Sequence, residues 1–288
     1  MSEPGPDRAS VRRLLDELGV RPSKRLGQNF LVDRNVVAGI LDAVGGDTDS
    51  AIVEIGPGLG ALTLPLAKRA RRLVAVEVDR RLAARLRDAP ALQANSVEVV
   101  EADILRFDLG GAASSFGERV VVVGSIPYSI TAPILSKLVD SREAVRVAFL
   151  VTQREVAENI LASPGADGTA LGIFVQAYAD VAVLRRIPRG AFYPVPDVDS
   201  CLWKLEMLER PRFTAKEERF FTVVRAIYGA RRKTLRNGLQ REYPRGAVDA
   251  MLVAAGLDGG IRGETLGFAE LDALAVAAEV AVPYEKAP

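Results

Sequence analysis

Short apolar runs alternate with amphipathic segments along the first two thirds of the chain. Runs of this kind, separated by helical spacing of apolar positions, are typical of strands in a parallel sheet that is covered on both faces. Asp33 is a predicted N-cap for one such helix, which continues to Val44. The predicted strands are 51–55, 73–78, 97–102, 119–124 and 145–151, with two later ones at 179–187 and 201–208. The pattern therefore predicts an α/β fold, and the two adjacent late strands suggest an antiparallel edge.

The pattern changes after Pro211, where helical spacing continues without any strand between the helices. The predicted helices of the whole chain are 10–18, 33–44, 59–71, 79–88, 132–139, 153–161, 215–228, 233–241, 247–255 and 268–278. We place a domain boundary near 209–214 for this reason. The expected organisation is a flexible tail and short helix over 1–20, a sheet domain over 21–210 and a helical domain over 211–288.

Composition excludes several classes of chemistry. The 288 residues carry 38 Lys and Arg against 37 Asp and Glu, and 49% are hydrophobic, as in a globular protein. The chain has no histidine, which removes serine and cysteine triads and most transition-metal sites. Its single cysteine, Cys201, permits no internal disulfide and suits the reducing cytoplasm. We expect no membrane span and no signal peptide, because no apolar run is long enough and the first ten residues are polar.

Positive charge is concentrated in one part of the chain. Residues 185–245 contain 15 Lys and Arg and 7 Asp and Glu, an excess of 15 − 7 = +8. Within them the segment RRKTLRN places four basic residues over two helical turns, namely Arg231, Arg232, Lys233 and Arg236. Such density favours a polyanionic partner, although solvated helix faces explain the wider charge excess equally well.

A glycine-rich turn follows the first strand of the predicted sheet. The stretch VEIGPGLGALT contains Gly56, Gly58 and Gly60, which would let a ligand approach the backbone closely. Glu77 ends the second strand 21 residues after Gly56 and could take both hydroxyls of a ribose, and Asp103 ends the third strand. Ligands bind at the carboxyl ends of strands in open α/β sheets, so these residues outline a site for an adenosine-sized ligand. NAD and S-adenosylmethionine both fit this pattern.

The end of the fourth strand distinguishes these two ligands. Ser125-Ile126-Pro127-Tyr128 matches the [Asn/Asp/Ser]-x-Pro-[aromatic] pattern of amino-group methyltransferases, which a dehydrogenase does not need. Methyl transfer to a conjugated amino group requires its nitrogen to become more tetrahedral, and two acceptors on its N–H groups favour the change. The Ser125 hydroxyl and the Ile126 carbonyl could be those acceptors, held by the fixed φ of Pro127. Tyr128 places an aromatic ring directly after this turn.

Seven motifs in fixed order together resemble one family. The segments LGQNFL, VEIGPGLGALT, VEVD, EADIL, SIPYSI, FYPVPDVDS and RRKTLRN are similar to those of the bacterial small-subunit (16S) rRNA adenine N6,N6-dimethyltransferases, relatives of eukaryotic Dim1. The resemblance covers roughly residues 20 to 275. It implies a Rossmann-like S-adenosylmethionine-dependent methyltransferase sheet with a smaller all-helical C-terminal domain. It also implies dimethylation of two adjacent adenines near the 3′ end of small-subunit rRNA, coupled to subunit maturation.

The same resemblance assigns roles to individual residues. Asn29 and Leu31 match positions that close over S-adenosylmethionine. Gly56, Gly58, Glu77 and Asp103 match its glycine loop, ribose acid and adenine-side residue. The remaining matches concern the target base and the RNA: Ser125 stands where the family usually has Asn, Tyr128 and Phe192 match the two aromatics that pack on the base, and Arg231–Asn237 matches a basic helix start facing rRNA. The implied partner is the small ribosomal subunit, bound by a monomeric protein without a metal.

Three other functions are compatible with parts of the sequence. An erythromycin-resistance-type methyltransferase acting on 23S rRNA shares the fold, and Ile126 slightly resembles that branch, whereas RRKTLRN and the RGETL segment favour the small-subunit enzyme. A non-catalytic assembly or nucleic-acid-binding relative is favoured only by Ser125. A dehydrogenase leaves SIPY and FYPVPDVDS unexplained.

Overall fold

The computed structural model describes residues 7–23, 26–45, 49–93, 97–165, 167–230 and 232–282. These residues form two compact units. The first contains the residues up to Ala157 together with Asp180–Met207, and the second contains Glu158–Ala179 and the residues from Leu208 onward. None of the helices within these ranges is long and apolar enough to span a bilayer.

The first unit is built on a seven-stranded sheet. Its strands are β2 (Ala51–Ile55), β3 (Arg72–Glu77), β4 (Val97–Glu101), β5 (Val120–Ser125), β6 (Val145–Gln153), β7 (Ala179–Ile187) and β9 (Ser200–Met207), in the spatial order β4-β3-β2-β5-β6-β9-β7. Strands β2 to β6 pair in parallel, and β9 runs antiparallel to β6. The predicted α/β class and the antiparallel edge are therefore confirmed.

The first helix of this unit precedes all of its strands, and the others follow between the strands in the sequence. They are α1 (Arg8–Glu17), α2 (Arg34–Val44), α3 (Thr63–Leu66), α4 (Arg80–Arg87), α5 (Pro90–Gln93), α6 (Leu109–Phe116), α7 (Thr131–Asp140) and α8 (Arg154–Leu161), of which α8 continues into the second unit. Asp33 caps α2 through hydrogen bonds from the backbone N–H groups of Asn35 and Val36, as the sequence predicted. Val36, Ile40 and Val44 face the sheet core.

The helix predicted over 59–71 is much shorter in the structure. Only Thr63–Leu66 is α-helical, with turns on either side. Gly60 has φ of +88°, so the chain enters this region in a left-handed conformation that cannot begin a right-handed helix. Pro65 has no N–H to donate and is tolerated only in the first turn of a helix, so α3 begins just before it. The N–H groups of Lys68 and Arg69 donate to the carbonyls of residues i−3, and the α-helix ends in this tighter turn.

A separate two-stranded sheet lies beside the main one. Strand β1 (Phe30–Leu31) pairs antiparallel with β8 (Phe192–Tyr193), and the register places Leu31 opposite Phe192. These are the LGQNFL and FYPVPDVDS segments, which are 150 residues or more apart in the sequence. Their pairing joins two of the predicted site segments.

The second unit consists of helices. They are α9 (Ala170–Tyr178), α10 (Glu217–Tyr228), α11 (Leu235–Leu239), α12 (Arg245–Ala255) and α13 (Phe268–Ala281). The sequence pattern placed a boundary near 209–214, and the second stretch of the sheet unit ends at Met207. The units also divide near 157 and 179, because α9 brings Phe174 and Tyr178 against Phe213 and Phe221 in an aromatic cluster.

Candidate cofactor and base site

A cavity of about 310 Å³ opens at the carboxyl edge of the central strands. The chain continues from β2 to β3 on one side of β2 and returns to β5 on its other side, so the strand order reverses between β2 and β5. Open α/β sheets bind ligands at such a switch point. Nine of the sequence-predicted site residues line this cavity: Asn29, Gly56, Gly58, Glu77, Asp103, Ser125, Ile126, Pro127 and Phe192. Leu31 does not line it and instead lies in the hydrophobic core. The Tyr128 side chain is outside the described part of the structure.

The glycine loop forms the floor of the cavity next to β2. Gly56 and Gly58 have φ of +66° and +57°, values that side-chain-bearing residues rarely adopt. A Cβ on Gly58 would lie 3.2 Å from the Phe30 ring, so the loop needs glycine for close packing as well as for its conformation. The Gly56 N–H donates to the Val76 carbonyl at 3.0 Å and ties the loop to β3.

Glu77 presents a buried carboxyl to the cavity. One of its oxygens accepts the Gly58 N–H and the other accepts the Asp79 N–H, each at 2.9 Å. Burial raises the pKa of Glu77, and the two backbone N–H groups oppose that rise. A carboxylate has about four acceptor sites, so two remain for the hydroxyls of a ribose. This donor and acceptor set fits the ribose of S-adenosylmethionine.

Asp103 and its neighbours form the adjacent wall. The Asp103 carboxylate accepts the Leu105 N–H at 2.9 Å, which fixes the turn after β4. Ala102, Ile104 and Leu105 line the same part of the cavity with apolar surface. A flat apolar slot with one carboxylate is suited to an adenine ring and its amino group.

Residues 26–30 form a further wall and contain a site residue that sequence reasoning missed. Gln28 accepts the Ser23 N–H at 2.9 Å and donates to the Asp79 carboxylate at 3.3 Å, while Asn29 donates to the Gly27 carbonyl at 3.2 Å. Gln28 thus connects this segment to Asp79, whose backbone N–H donates to Glu77. Its position inside the LGQNFL motif was the available signal.

The Ser125–Tyr128 turn is fixed by hydrogen bonds that reach into its surroundings. The Ile126 N–H donates to the Val151 carbonyl at 3.0 Å, and the Ile130 N–H donates to the Pro127 carbonyl at 3.2 Å. The buried Thr131 hydroxyl donates to the same Pro127 carbonyl at 3.2 Å. Thr131 is a second residue that the sequence analysis missed, since nothing separates it from an ordinary first residue of α7.

Glu54 is a buried carboxyl behind the glycine loop. It lies in β2 between β3 and β5, and only 2% of its surface is exposed. Burial raises the pKa of Glu54 to about 8, with the Thr63 hydroxyl acting in the opposite direction. A charged residue type inside an otherwise apolar strand was the signal for this position.

The described basic residues of the RRKTLRN segment differ in their contacts. Arg232 and Lys233 are exposed and line an open recess with Tyr228, Asn237 and Arg241. Arg236 instead forms an ion pair with Asp249 of α12. Arg231 lies outside the described residues.

The parallel sheet, the glycine loop with its ribose acid and the Ser-Ile-Pro-Tyr turn at one cavity define a class of S-adenosylmethionine-dependent methyltransferases. A model of the ribosomal RNA adenine dimethylase family matches residues 20–265, and the chain belongs to that family.

Relatives of this chain carry names consistent with the family. Ribosomal RNA small subunit methyltransferase A of Geobacillus thermodenitrificans (strain NG80-2) is 40% identical over 274 residues, which cover 92% of this chain and 93% of that protein. The protein of the same name from Geobacter metallireducens (strain ATCC 53774 / DSM 7210 / GS-15) is 42% identical, covering 89% and 95%.

Solved structures are similar over most of the chain. The 23S rRNA methyltransferase ErmE is 30% identical with a TM-score of 0.68, covering 87% of this chain and 100% of that chain. A dimethyladenosine transferase from Plasmodium falciparum has a TM-score of 0.73 at 23% identity, covering 85% and 95%, and shows the shared fold.

Proposed function

We propose that this protein dimethylates the N6 amine of two adjacent adenines near the 3′ end of small-subunit rRNA, using S-adenosylmethionine, during maturation of the subunit in the cytoplasm. The observation that carries the proposal is the single cavity that places Glu77 and the glycine loop beside the Ser125–Pro127 turn. The small-subunit relatives at about 40% identity support the choice of substrate.

The residues of the chain hold the cofactor and orient the reacting amine. S-adenosylmethionine supplies an electrophilic methyl group on its sulfonium. Glu77 would accept hydrogen bonds from the ribose hydroxyls of the bound cofactor, and Asp103 with its apolar neighbours would hold the adenine. The Ser125 hydroxyl and the Ile126 carbonyl accept hydrogen bonds from the target N6, which favours a more tetrahedral nitrogen. The hydrogen bonds of Thr131 and Ile130 to Pro127 keep that turn rigid, so the acceptors need not reorganise.

The target adenine is drawn out of its helix and packed between aromatic rings. Phe192 lines the cavity from β8. By the family resemblance, Tyr128 is the second aromatic residue that packs on the base. The second methylation presents one N–H in place of two, so one acceptor is enough for that round. Gaining the methyl group leaves the nitrogen positively charged and strongly acidic, so its N–H proton can pass to solvent water and no base with a tuned pKa is needed.

The division of labour follows the predicted domains, with 21–210 catalytic and 211–288 binding rRNA. Arg232 and Lys233 are exposed and supply phosphate contacts, and Arg231 and Arg236 complete the predicted patch. The protein acts as a monomer on the small ribosomal subunit.

A 23S rRNA methyltransferase is the second candidate, since ErmE shares 30% identity and the fold. The deciding experiment incubates the protein and S-adenosylmethionine with unmethylated 30S particles or with 23S rRNA, followed by mass spectrometry of the nucleosides. Dimethyladenosine in 16S rRNA alone is expected. Dimethyladenosine in 23S rRNA would support the second candidate, and bound RNA without any product would favour the non-catalytic relative.

A further inference from the structure

Helix α1 packs against the walls of the cofactor and base cavity. Val11 and Leu15 are buried in a cluster with Phe30, and Leu59 of the glycine loop and Tyr193 of β8 pack against it. The Asp7 carboxylate accepts the Ser10 N–H, and the Ser10 hydroxyl accepts the Asp7 N–H, so the helix begins with a capping box. This helix, expected from the sequence to adjoin a flexible tail, is an ordered part of the catalytic unit.

Arg8 connects the first turn of α1 to the loop that carries Phe192. Its guanidinium donates to the Gly190 carbonyl at 3.1 Å and to the Phe192 carbonyl at 3.3 Å. The side chain of Arg8 is therefore committed to the backbone next to the base site. It places the outward face of α1 beside β8.

The exposed residues of α1 and Tyr193 of β8 together line an open recess. Successive residues of a strand point to opposite sides, and Phe192 lines the base cavity while Tyr193 lines the recess. Arg12 and Arg13 line the recess with Tyr193, and both are exposed. Within the described residues, no ion pair involves either arginine. The recess thus begins one residue away from the base site.

The charged residues of α1 are separated along the helix. Arg8 lies in its first turn, Arg12 and Arg13 lie in its middle, and Asp16 and Glu17 follow at its carboxyl-terminal end. All five border the recess, so its positive charge comes from the three arginines.

We propose that Arg12 and Arg13 of α1, with Tyr193, bind the sugar–phosphate backbone of the rRNA strand that flanks the target adenine. The inference rests on the proposed function for the identity of the RNA. Two guanidiniums that form no ion pair with any described residue complement phosphate, and a tyrosine ring beside them suits a neighbouring nucleotide. Continuity with the base site through Phe192 and Tyr193 favours the strand that enters that site over a distant one.

The test compares R12A/R13A with K68A/R69A. Lys68 and Arg69 are exposed on the turn after α3, next to the start of β3 and so at the opposite edge of the sheet. Both variants lose two positive charges. Binding to 30S particles is measured from low to moderate salt, together with kcat and KM for 30S and the Kd for S-adenosylmethionine.

For R12A/R13A we expect the negative slope of log affinity against log salt to become shallower by about two, and the KM for 30S to rise about tenfold. The Kd for S-adenosylmethionine should stay within about twofold, and R12K/R13K should keep the wild-type salt slope. A wild-type slope in R12A/R13A, or an equal loss in K68A/R69A, overturns the inference. A wild-type protein that binds 30S but transfers no methyl group contradicts the proposed function alone, because the salt slope still decides the role of α1.

Discussion

Glu77 accepts the Gly58 N–H at 2.9 Å, so the acid that ends β3 also holds the glycine loop that follows β2. We expect Glu77→Gln to weaken S-adenosylmethionine binding about 10- to 100-fold, because an amide can accept only one of the two backbone N–H groups and leaves fewer acceptor sites for a ribose. Isothermal titration calorimetry measures the change. Glu98→Gln, at an exposed position of β4, is the matched control and should bind like wild type.

The buried carboxyl of Glu54 makes stability depend on pH. Its pKa is about 8 in the folded protein against an ordinary 4.5, so between these values the folded state holds a proton that the unfolded state lacks. The contribution is therefore complete below pH 4.5 and is lost as the pH rises through about 8, with a slope of at most about 1.4 kcal/mol per pH unit.

Glu54→Gln removes this titration and keeps the shape of the side chain. Urea unfolding at pH 6, 7 and 8 should show a steeper decline in the free energy of unfolding for wild type than for the variant, by roughly 1 kcal/mol per unit. Equal slopes for the two proteins would show that Glu54 is not protonated in the fold.

In the proposed mechanism Ser125 is an acceptor with a shorter side chain than the asparagine that the family resemblance leads us to expect at this position. We expect Ser125→Asn to speed the first methylation several-fold and the second by less, and Ser125→Ala to slow the first about 10- to 100-fold, as for the loss of one oriented hydrogen bond in a transition state. The second methylation should suffer less in Ser125→Ala, because its single N–H can use Ile126. Single-turnover rates for each round measure this, with Ser129→Ala as control. Unchanged rates in Ser125→Asn would contradict the idea that serine is suboptimal.

Arg236 forms an ion pair with Asp249, whereas its basic neighbours Arg232 and Lys233 are exposed. R232A/K233A should reduce the salt slope of 30S binding by about two, whereas Arg236→Ala should reduce it by less than one. Filter binding at several salt concentrations measures both. An equal loss of slope for each basic residue replaced would mean that Arg236 leaves Asp249 when the RNA binds.

The sequence was sufficient for those parts of the site that sit at strand ends. Apolar runs located the strands, and the carboxyl edge of a parallel sheet then brought Gly56, Glu77, Asp103 and Ser125 to one cavity. Local patterns misjudged α3, because the conformation of Gly60 and the position of Pro65 overrode apolar periodicity.

Contacts between distant segments could not be derived from spacing. Gln28 meets Asp79 51 residues away, and Arg8 meets Gly190 182 residues away. Such pairs depend on how finished elements pack, which periodicity does not describe. The grouping of α9 with the helical unit has the same origin, since its aromatic partners Phe213 and Phe221 follow only after the last strand.

The pairing of β1 with β8 connects the segment beside the cofactor with the segment beside the base. Leu31 lies opposite Phe192 in that small sheet, so order in one strand favours order in the other. Two ligands that each favour the paired arrangement share a coupling free energy, and that energy is reciprocal. Whatever factor the cofactor adds to RNA affinity, RNA must add the same factor to cofactor affinity.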